Sequence, residues 1–188
     1  MQIIEDKSFT KVTVEEIRKQ GAQFENCSFI YCDLRTAHLS NLVFIDCHFK
    51  DCYMASCSLQ NTGLQNVKFT DCNLTGADFS KTRDFLFEAH FDNCVLDNTI
   101  FYSRKNKGAK YINCSCKEVD FTQADLTNAV FDNCNLHRAI FDNTNLKGAD
   151  FTTSYNYIVD PDRNIVKKTK FSVHGLPGLL TRYDIVIK

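Results

Sequence analysis

The chain of 188 residues is long enough for one domain with a buried core and short for two. Its 22 basic and 23 acidic residues give a formal net charge of −1, which argues against general nucleic-acid binding, because that activity needs a dominant excess of Lys and Arg. No apolar run approaches the roughly 20 residues that cross a bilayer, and the first residues lack the apolar core of a secretory signal, so we expect a cytoplasmic protein with no membrane segment.

The first predicted element is a short helix near the N-terminus. Thr13 and Glu16 form the T-x-x-E pattern of a capping box, and Gly21 is placed to end the helix after about Gln20. Residues 1–21 are therefore predicted to cap one end of the molecule.

From residue 22 to residue 153, a large apolar residue recurs every five positions. The register runs without a miss over 24–79, slips by two residues, and resumes over 91–151, where only Asn106 and Cys116 depart from it. A period of five suits neither a strand nor a helix, but it suits a coil with four short sides, in which twenty residues close one turn and turns stack at about 4.8 Å. The sequence therefore predicts an all-β fold, a quadrilateral β-helix.

Residues twenty apart should then lie on top of one another and form columns of like side chains. If the two extra residues bulge outward, one aromatic column contains Phe29, Phe49, Phe69, Phe91, Tyr111, Phe131 and Phe151. A second column contains Leu34, Met54, Leu74, Leu96, Cys116 and Leu136. Matching columns are what a tightly packed axial core requires.

The ten cysteines follow the same register. Nine lie two positions before a large apolar residue, at the small inward position, and Cys116 takes a large inward position, so we expect buried free thiols in a reducing compartment. A zinc site would need His48 beside Cys47 and Cys52, but His48 is predicted to point outward while the thiols point inward. We therefore expect no metal site and no cofactor.

The sequence also predicts no catalytic residues. The other histidines of the repeat take outward positions and do not converge with a Ser or Cys, and seven glycines leave no phosphate-binding loop. A filled coil has no deep pocket, so we expect a protein that is not an enzyme.

Two segments interrupt the repeat. Residues 80–90 contain the two-residue slip and are predicted to form a local kink. The second segment, residues 102–110, skips an apolar step and is predicted to bulge as a basic loop that carries Arg104, Lys105, Lys107 and Lys110.

Charge is uneven along the repeat, and two interpretations of it remain open. The first is a solvated surface of mixed charge. The second is an acidic face, interrupted by the basic stripe, that docks a partner. In the second interpretation the acidic residues are Asp92, Asp97, Asp120, Asp132, Asp142 and Asp150.

Residues 154–188 are predicted to form a C-terminal cap. A turn at 160–162 precedes a strand within 166–173, a short helix from Pro177 to about Tyr183, and a final strand over 184–187. This end either closes the core or forms a twofold dimer interface, and we expect it to do both. The apolar residues that would form the interface are Phe171, Leu176, Leu179, Leu180, Tyr183, Ile185 and Ile187.

The repeat resembles the pentapeptide-repeat family, whose loose consensus is A(D/N)LXX. Clear copies are ADFSK at 77–81, ADLTN at 124–128 and ADFTT at 149–153. This resemblance, which covers residues 22–153, implies a right-handed quadrilateral β-helix.

Within that family the chain is most similar to small members that protect DNA gyrase, the Qnr-type quinolone-resistance proteins and the immunity protein against a gyrase-poisoning microcin. The similarity lies in overall length, in the opening MQIIE, and in DPDRN followed by LLTRYDIVI near the end. It implies a head-to-head homodimer whose rod resembles duplex DNA and acts on DNA gyrase or topoisomerase IV. The alternative is a scaffold that binds another cytoplasmic protein and has no topoisomerase role.

Overall fold

The computed structural model describes residues 3–186, which form the predicted all-β, right-handed, four-sided β-helix. All pairing between neighbouring coils is parallel, and the register advances by twenty residues per coil, as in Phe29↔Phe49 and Phe49↔Phe69. The pairing Phe69↔Phe91 advances by twenty-two, so the two extra residues lie within one coil, as predicted.

Most sides contribute only a short strand or a single bridge to the ladder, because each side is about five residues long. Helix α1 is Val14–Gln20 and helix α2 is Pro177–Leu180. The strands are β1 Ile3–Glu5, β2 Ser8–Thr10, β3 Gln23–Glu25, β4 Ser28–Ile30, β5 Val43–Ile45, β6 His48–Lys50, β7 Gly63–Gln65, β8 Val67–Thr70, β9 Ala89–Asp92, β10 Lys110–Ile112, β11 Val130–Asp132, β12 Asp150–Phe151 and β13 Lys170–Phe171.

We number the four sides by their inward-pointing residues. Side 1 contains Ile4, Phe24, Phe44, Leu64, Asn106, Leu126 and Leu146; side 2 contains Phe9, Phe29, Phe49, Phe69, Phe91, Tyr111, Phe131, Phe151 and Phe171; side 3 contains Leu34, Met54, Leu74, Leu96, Cys116 and Leu136; side 4 contains Leu39, Leu59, Phe79, Phe101, Phe121 and Phe141. Side 2 is one continuous sheet of nine strands, whereas the strands of side 1 form a sheet of four, β1-β3-β5-β7.

The corners between sides need a left-handed backbone residue. Two positions after most inward residues, φ is positive, for example 49° at Asn26, 50° at Asn66 and 71° at Gly76. Asn, Asp and Gly adopt this region at the lowest cost, because a larger L side chain crowds the following carbonyl. The abundance of Asn and Asp in the repeat therefore reflects the geometry of the turns.

The predicted columns form the core. Successive rings of the aromatic column stack nearly parallel, with centroid separations of 4.8 Å for Phe29–Phe49 and 4.6 Å for Tyr111–Phe131. Rings of opposite sides meet edge to face, as in Phe91–Phe101 at 5.8 Å. Both arrangements suit the aromatic quadrupole, so the aromatic columns pack closely.

All ten cysteines are buried and free, as predicted. The small inward column of side 3 is a ladder of thiols formed by Cys32, Cys52, Cys72, Cys94, Cys114 and Cys134. Neighbouring thiols and burial raise the pKa of Cys72 and of Cys114, and burial raises the pKa of Cys57 to about 12. Cys57, Cys72 and Cys114 are therefore protonated core groups at neutral pH.

The N-terminal helix forms where the capping box predicts it. Thr13 and Glu16 make both capping hydrogen bonds, at 3.3 and 2.7 Å, and Ile17 is buried against the core. The sequence predicts that the coil begins at residue 22, after the cap. Strands β1 and β2, however, precede the helix and pair with β3 and β4, so the first coil begins with β1. Helix α1 replaces only the last two sides of the first coil.

Arg18 closes the strand edge that the helix leaves open. Its guanidinium donates to the carbonyl oxygen of His38 at 2.5 Å and to that of Ser40 at 2.9 Å. These carbonyls lie on side 4, where no strand of an earlier coil precedes them. A side chain thus takes the place of a ladder partner.

The C-terminal segment is more irregular than predicted. Strand β13 pairs with β12, and helix α2 continues into a 3-10 turn over Thr181–Tyr183, in agreement with the predicted helix. Residues 184–186 do not form the predicted final strand, because Asp184 turns the chain with a left-handed φ of 49°. Residue 187, the last of that predicted strand, lies outside the described residues.

Candidate functional site

The interior offers no room for a reacting group or a ligand. The inward residues of the four sides are buried, except that Phe9 and Phe171 at the two ends of side 2 are half-buried, and the most enclosed large side chains are aromatic. Within residues 3–186 no group of three or more His, Cys, Asp and Glu side chains is arranged to hold a metal ion. The same residues contain no helix long and apolar enough to span a membrane. Attention therefore falls on the outward residues and the two irregular segments.

The two-residue slip forms a short protrusion on side 1, residues 82–88, which we call the insert. Its ends are fixed to the preceding coil, because Arg83 N donates to Thr62 O at 2.9 Å and Glu88 N donates to Leu64 O at 3.0 Å. Phe87 turns back into the core, while Phe85 and Leu86 are 71% and 62% exposed. Two adjacent large apolar side chains thus project from a fixed backbone.

Arg104 lies beneath the insert, which corrects the prediction of a bulging basic loop at 102–110. The segment keeps the five-residue register, so Arg104 occupies the small inward position and its side chain is 8% exposed. Its guanidinium donates to Thr82 O at 3.1 Å and to Arg83 O at 3.3 Å, pairs with the Asp84 carboxylate, and stacks 5.5 Å from the Phe87 ring. The carbonyl oxygens of Thr82 and Arg83 lie outside the regular β-ladder, and the long cationic side chain of Arg104 supplies their hydrogen bonds.

Asn106 occupies the large inward position of side 1, two residues after Arg104 at the small inward position. Its carboxamide is buried and bonds to both backbone groups of Ala89, at the point where the chain returns from the insert. The two departures from the repeat are therefore one structural feature. The strict five-residue phase already places Arg104 and Asn106 inward, and that phase was the signal that could have excluded an outward loop.

The acidic residues predicted to share one face lie on three sides. Asp92, Asp132 and Asp150 are on side 2, Asp97 is on side 3, and Asp120 and Asp142 are on side 4. The single acidic face is thus not formed, because consecutive sides point in different directions.

Most of these carboxylates have basic neighbours. Asp142 lies 2.6 Å from Arg163 and Asp150 lies 3.0 Å from Lys170, whereas Asp92 and Asp97 approach Lys68 and Lys117 only to 4.0 Å. Partial burial raises the pKa of Asp150, but hydrogen bonds from Thr152 and Lys170 outweigh it and hold that pKa below its usual value. Pairing with these basic neighbours partly neutralises the negative charge of the carboxylates.

The three lysines of the predicted basic stripe are exposed but do not form one stripe. Lys105 and Lys107 flank Asn106 on side 1, and Lys110 lies on side 2. Lys107 pairs with Asp125 at 3.2 Å. Arg104, the fourth member, is buried and takes no part in a surface stripe.

The C-terminal apolar residues divide into two groups. Phe171 stacks on Phe151 at 5.5 Å and Leu179 packs against the core, so these residues close the coil. Leu176, Tyr183 and Ile185 remain 44%, 52% and 54% exposed. Leu180 is half-buried, and Ile187 lies outside the described residues.

Arg182 fixes this end to the last coil. Its guanidinium lies 2.9 Å from Asp162 and 3.3 Å from Asp160, and the Tyr183 hydroxyl donates to Asp162 at 3.2 Å. The exposed apolar residues of the C-terminal end are thus held in a defined position.

Comparison with known proteins agrees with this geometry. A model of the pentapeptide repeat region matches residues 22–88, and a model of pentapeptide repeats in eight copies matches residues 114–152. No curated protein matches the chain.

Among solved structures, a trypsin-treated variant of QnrB1, described as a plasmid-mediated fluoroquinolone resistance protein, is 17% identical over 99% of this chain and 98% of its own, with a TM-score of 0.57. Full-length QnrB1 is 18% identical over 98% and 100%, with a TM-score of 0.53. HetL from the cyanobacterium Nostoc is 14% identical over 89% and 86%, with a TM-score of 0.37. The two family models together cover more than half of the residues, and the chain belongs to the pentapeptide-repeat family.

Proposed function

We propose that the protein is a non-catalytic interaction module that presents its outward side chains to a protein partner in the cytoplasm. The observation that carries this proposal is the filled interior: the thiols and nearly all phenylalanine rings of the coils are buried, so they provide neither nucleophiles nor a pocket. What remains for function is the outer surface. A rigid surface of regular spacing suits recognition, because little conformational entropy is lost on binding.

The insert is the part of that surface best suited to anchor a partner. Phe85 and Leu86 are exposed side by side, and Arg104 and Arg83 fix the backbone that carries them. Large apolar side chains on a fixed backbone are typical of binding anchors, which bury in a pocket of the partner.

For the partner we propose a type II topoisomerase, DNA gyrase or topoisomerase IV. The proposal rests on the similarity to gyrase-protecting family members given by the chain length and by the opening and closing segments, and the whole-length match to QnrB1 contributes the shared fold. In this role the rod would occupy or perturb the DNA-binding surface of the enzyme and protect it from quinolones or from a gyrase toxin.

A second candidate function is a scaffold that binds another cytoplasmic protein. The observation in its favour is the pairing of surface carboxylates with lysines and arginines on three sides. Paired charges weaken a likeness to the continuous phosphate array of duplex DNA.

We also propose that the C-terminal end joins two copies head to head. The exposed residues Leu176, Tyr183 and Ile185, together with Ile187, would meet across a twofold axis. This contact buries apolar surface that water otherwise covers.

The test of the topoisomerase proposal is a gyrase supercoiling assay with and without a fluoroquinolone or the microcin. We expect the wild type to restore supercoiling and the double variant Phe85→Ser, Leu86→Ser to lose at least about tenfold in potency, as for a removed anchor. Tyr102→Ser, which changes an exposed aromatic residue on side 4, is the control and should keep full potency. If the wild type neither protects nor inhibits either topoisomerase, that partner is wrong, and capture of a different cytoplasmic protein that depends on the insert supports the scaffold.

A further inference from the structure

Side 1 differs from the other sides in the order of its charges. Four strands precede the insert on this side, and four stacked segments, centred on Asn106, Leu126, Leu146 and Val166, follow it. The insert therefore lies at the middle of the side.

The two halves of side 1 carry opposite charge. The outward and corner positions before the insert contain four acidic residues and no basic one: Glu5, Asp6, Glu25 and Asp46. The same positions after the insert contain five lysines and one aspartate: Lys105, Lys107, Lys147, Lys167, Lys168 and Asp125. The aspartate is paired with Lys107, so the second half keeps a basic surplus.

We propose that side 1 binds side 1 of a second copy of this chain, with the two rods antiparallel and the twofold axis passing through the insert. In this arrangement each column of equivalent outward positions in successive coils faces the same column of the other copy, and the two columns run in opposite directions. The first coil then faces the last and the second faces the one before it.

The residues brought together in this way match position by position. Glu5 faces Lys167, Asp6 faces Lys168, and Glu25 faces Lys147, each pair occurring twice by symmetry. Apolar positions match as well, since Ile3 and Ile165, 48% and 56% exposed, face each other. Outside the insert, no outward or corner position places like charges opposite one another, which is the condition for electrostatic complementarity.

The centre of the contact is apolar. Phe85 and Leu86 of each copy lie next to the twofold axis, where they would shield one another from water. An apolar centre with a charged periphery is the usual arrangement of a protein interface. A parallel pair would lack these features, because it would place Lys105 of one copy opposite Lys107 of the other.

The area of one side limits the strength of the contact. Eight steps of about 4.8 Å give a length of roughly 38 Å, and one side is narrow, so the contact is smaller than that of an obligate dimer. We expect a weak, salt-sensitive pair that forms at protein concentrations of about 100 µM and dissociates as ionic strength rises.

The test combines sedimentation with zero-length coupling of carboxylates to amines by a carbodiimide, followed by mass spectrometry. We expect the wild type to associate and to give the couplings Glu25–Lys147 and Glu5–Lys167, which a dimer joined only at its C-terminal ends would not give. Within one chain Glu25 and Lys147 are six coils apart, roughly 29 Å, so their coupling reports two copies. A monomer at about 500 µM, or a dimer coupled only through C-terminal residues, would overturn the proposal.

Charge reversal provides the matched variants. Lys147→Glu with Lys167→Glu should weaken association at least about tenfold, because acidic halves then face each other. The quadruple variant Glu5→Lys, Glu25→Lys, Lys147→Glu, Lys167→Glu has the net charge of the wild type and should dimerise again with the same positions coupled. Lys50→Glu with Lys110→Glu changes charge equally on side 2 and should leave association unchanged; equal loss in this control, or no rescue in the quadruple variant, contradicts the pairing.

Discussion

The Asn106 carboxamide binds both backbone groups of Ala89: its Oδ1 accepts from Ala89 N at 3.1 Å, and its Nδ2 donates to Ala89 O at 3.0 Å. At the same position of the next coil, the N–H of Ala109 donates to the carbonyl three residues earlier, and its C=O accepts from Val130 of the coil that follows. Here the chain has left the ladder to form the insert, and the side chain of the next coil takes over the pairing. A polar residue at an inward position thus compensates for a change of register seventeen residues earlier.

We expect Asn106→Leu to destabilise the protein, although it restores the apolar repeat. The larger apolar side chain leaves the buried N–H and C=O of Ala89 without partners, which costs about 1–3 kcal/mol of unfolding free energy. Urea denaturation measures this change. Gln60→Ala, at an exposed position, is the control, and a Leu variant as stable as the wild type would show that the hydrogen bonds are dispensable.

We expect Arg104→Met to release the insert without unfolding the coil. Methionine keeps much of the side-chain volume but removes the donors to Thr82, Arg83 and Asp84, so hydrogen exchange of the Arg83 and Glu88 amides should accelerate. Stability should fall by about 1–3 kcal/mol. Lys107→Met, at an exposed position of the same coil, should change neither quantity, and equal effects of both substitutions would contradict the role of Arg104.

Gly108 and Gly148, at two corners of side 1, allow the effect of backbone strain to be separated from that of steric overlap. Gly148 and Gly108 have φ values of 69° and 67°, so alanine is disfavoured by about 1–2 kcal/mol at either position. A Cβ at Gly148 would overlap the Oδ1 of Asn128, whereas a Cβ at Gly108 has no heavy atom within 4 Å. Gly148→Ala should therefore lower the midpoint of thermal unfolding more than Gly108→Ala, and equal shifts would exclude the overlap.

The buried thiols predict a loss of stability at alkaline pH. Burial raises the pKa of Cys47 and of Cys57 to about 12 in the folded chain, while an unfolded thiol ionises near pH 8.5. Above that pH the unfolded state binds fewer protons, so each thiol lowers the unfolding free energy by up to about 1.4 kcal/mol per pH unit until the folded pKa is reached. Below the unfolded pKa its contribution is constant.

Urea denaturation from pH 8 to pH 10.5 measures this slope. Cys57→Ala is the matched variant, because Ala37 and Ala77 occupy the same column in the neighbouring coils. Its slope should be shallower than that of the wild type. An unchanged slope would mean that Cys57 ionises equally in both states.

The five-residue period was sufficient to predict the coil, the ring column from Phe29 to Phe151, and the burial of the thiols. Each of these follows from which residues point inward, and inward direction is a local property of the repeat. The helix after Thr13 was predictable for a similar reason, since a capping box lies within one turn of chain.

Features that depend on neighbouring coils were harder to predict. The role of Arg104 depends on contacts with residues about twenty positions earlier in the chain. Whether the acidic residues share one face depends on the side of the coil to which each of them belongs. The turn at Asp184 was not predicted, because the alternating apolar residues after it indicate a strand. The five-residue phase places Arg104 inward, but it does not say which residues of the neighbouring coil the side chain contacts.

The contacts of Arg18 also bear on how two chains could join end to end. A β-helix grows by adding a coil to an edge whose backbone groups are free, and two chains that both expose such edges can join into a fibre. Here the guanidinium already occupies the carbonyls of His38 and Ser40, and α1 lies across sides 3 and 4 of the first coil. One arginine and seven helical residues thus close two of the four sides at this end of a repeat that has no inherent end.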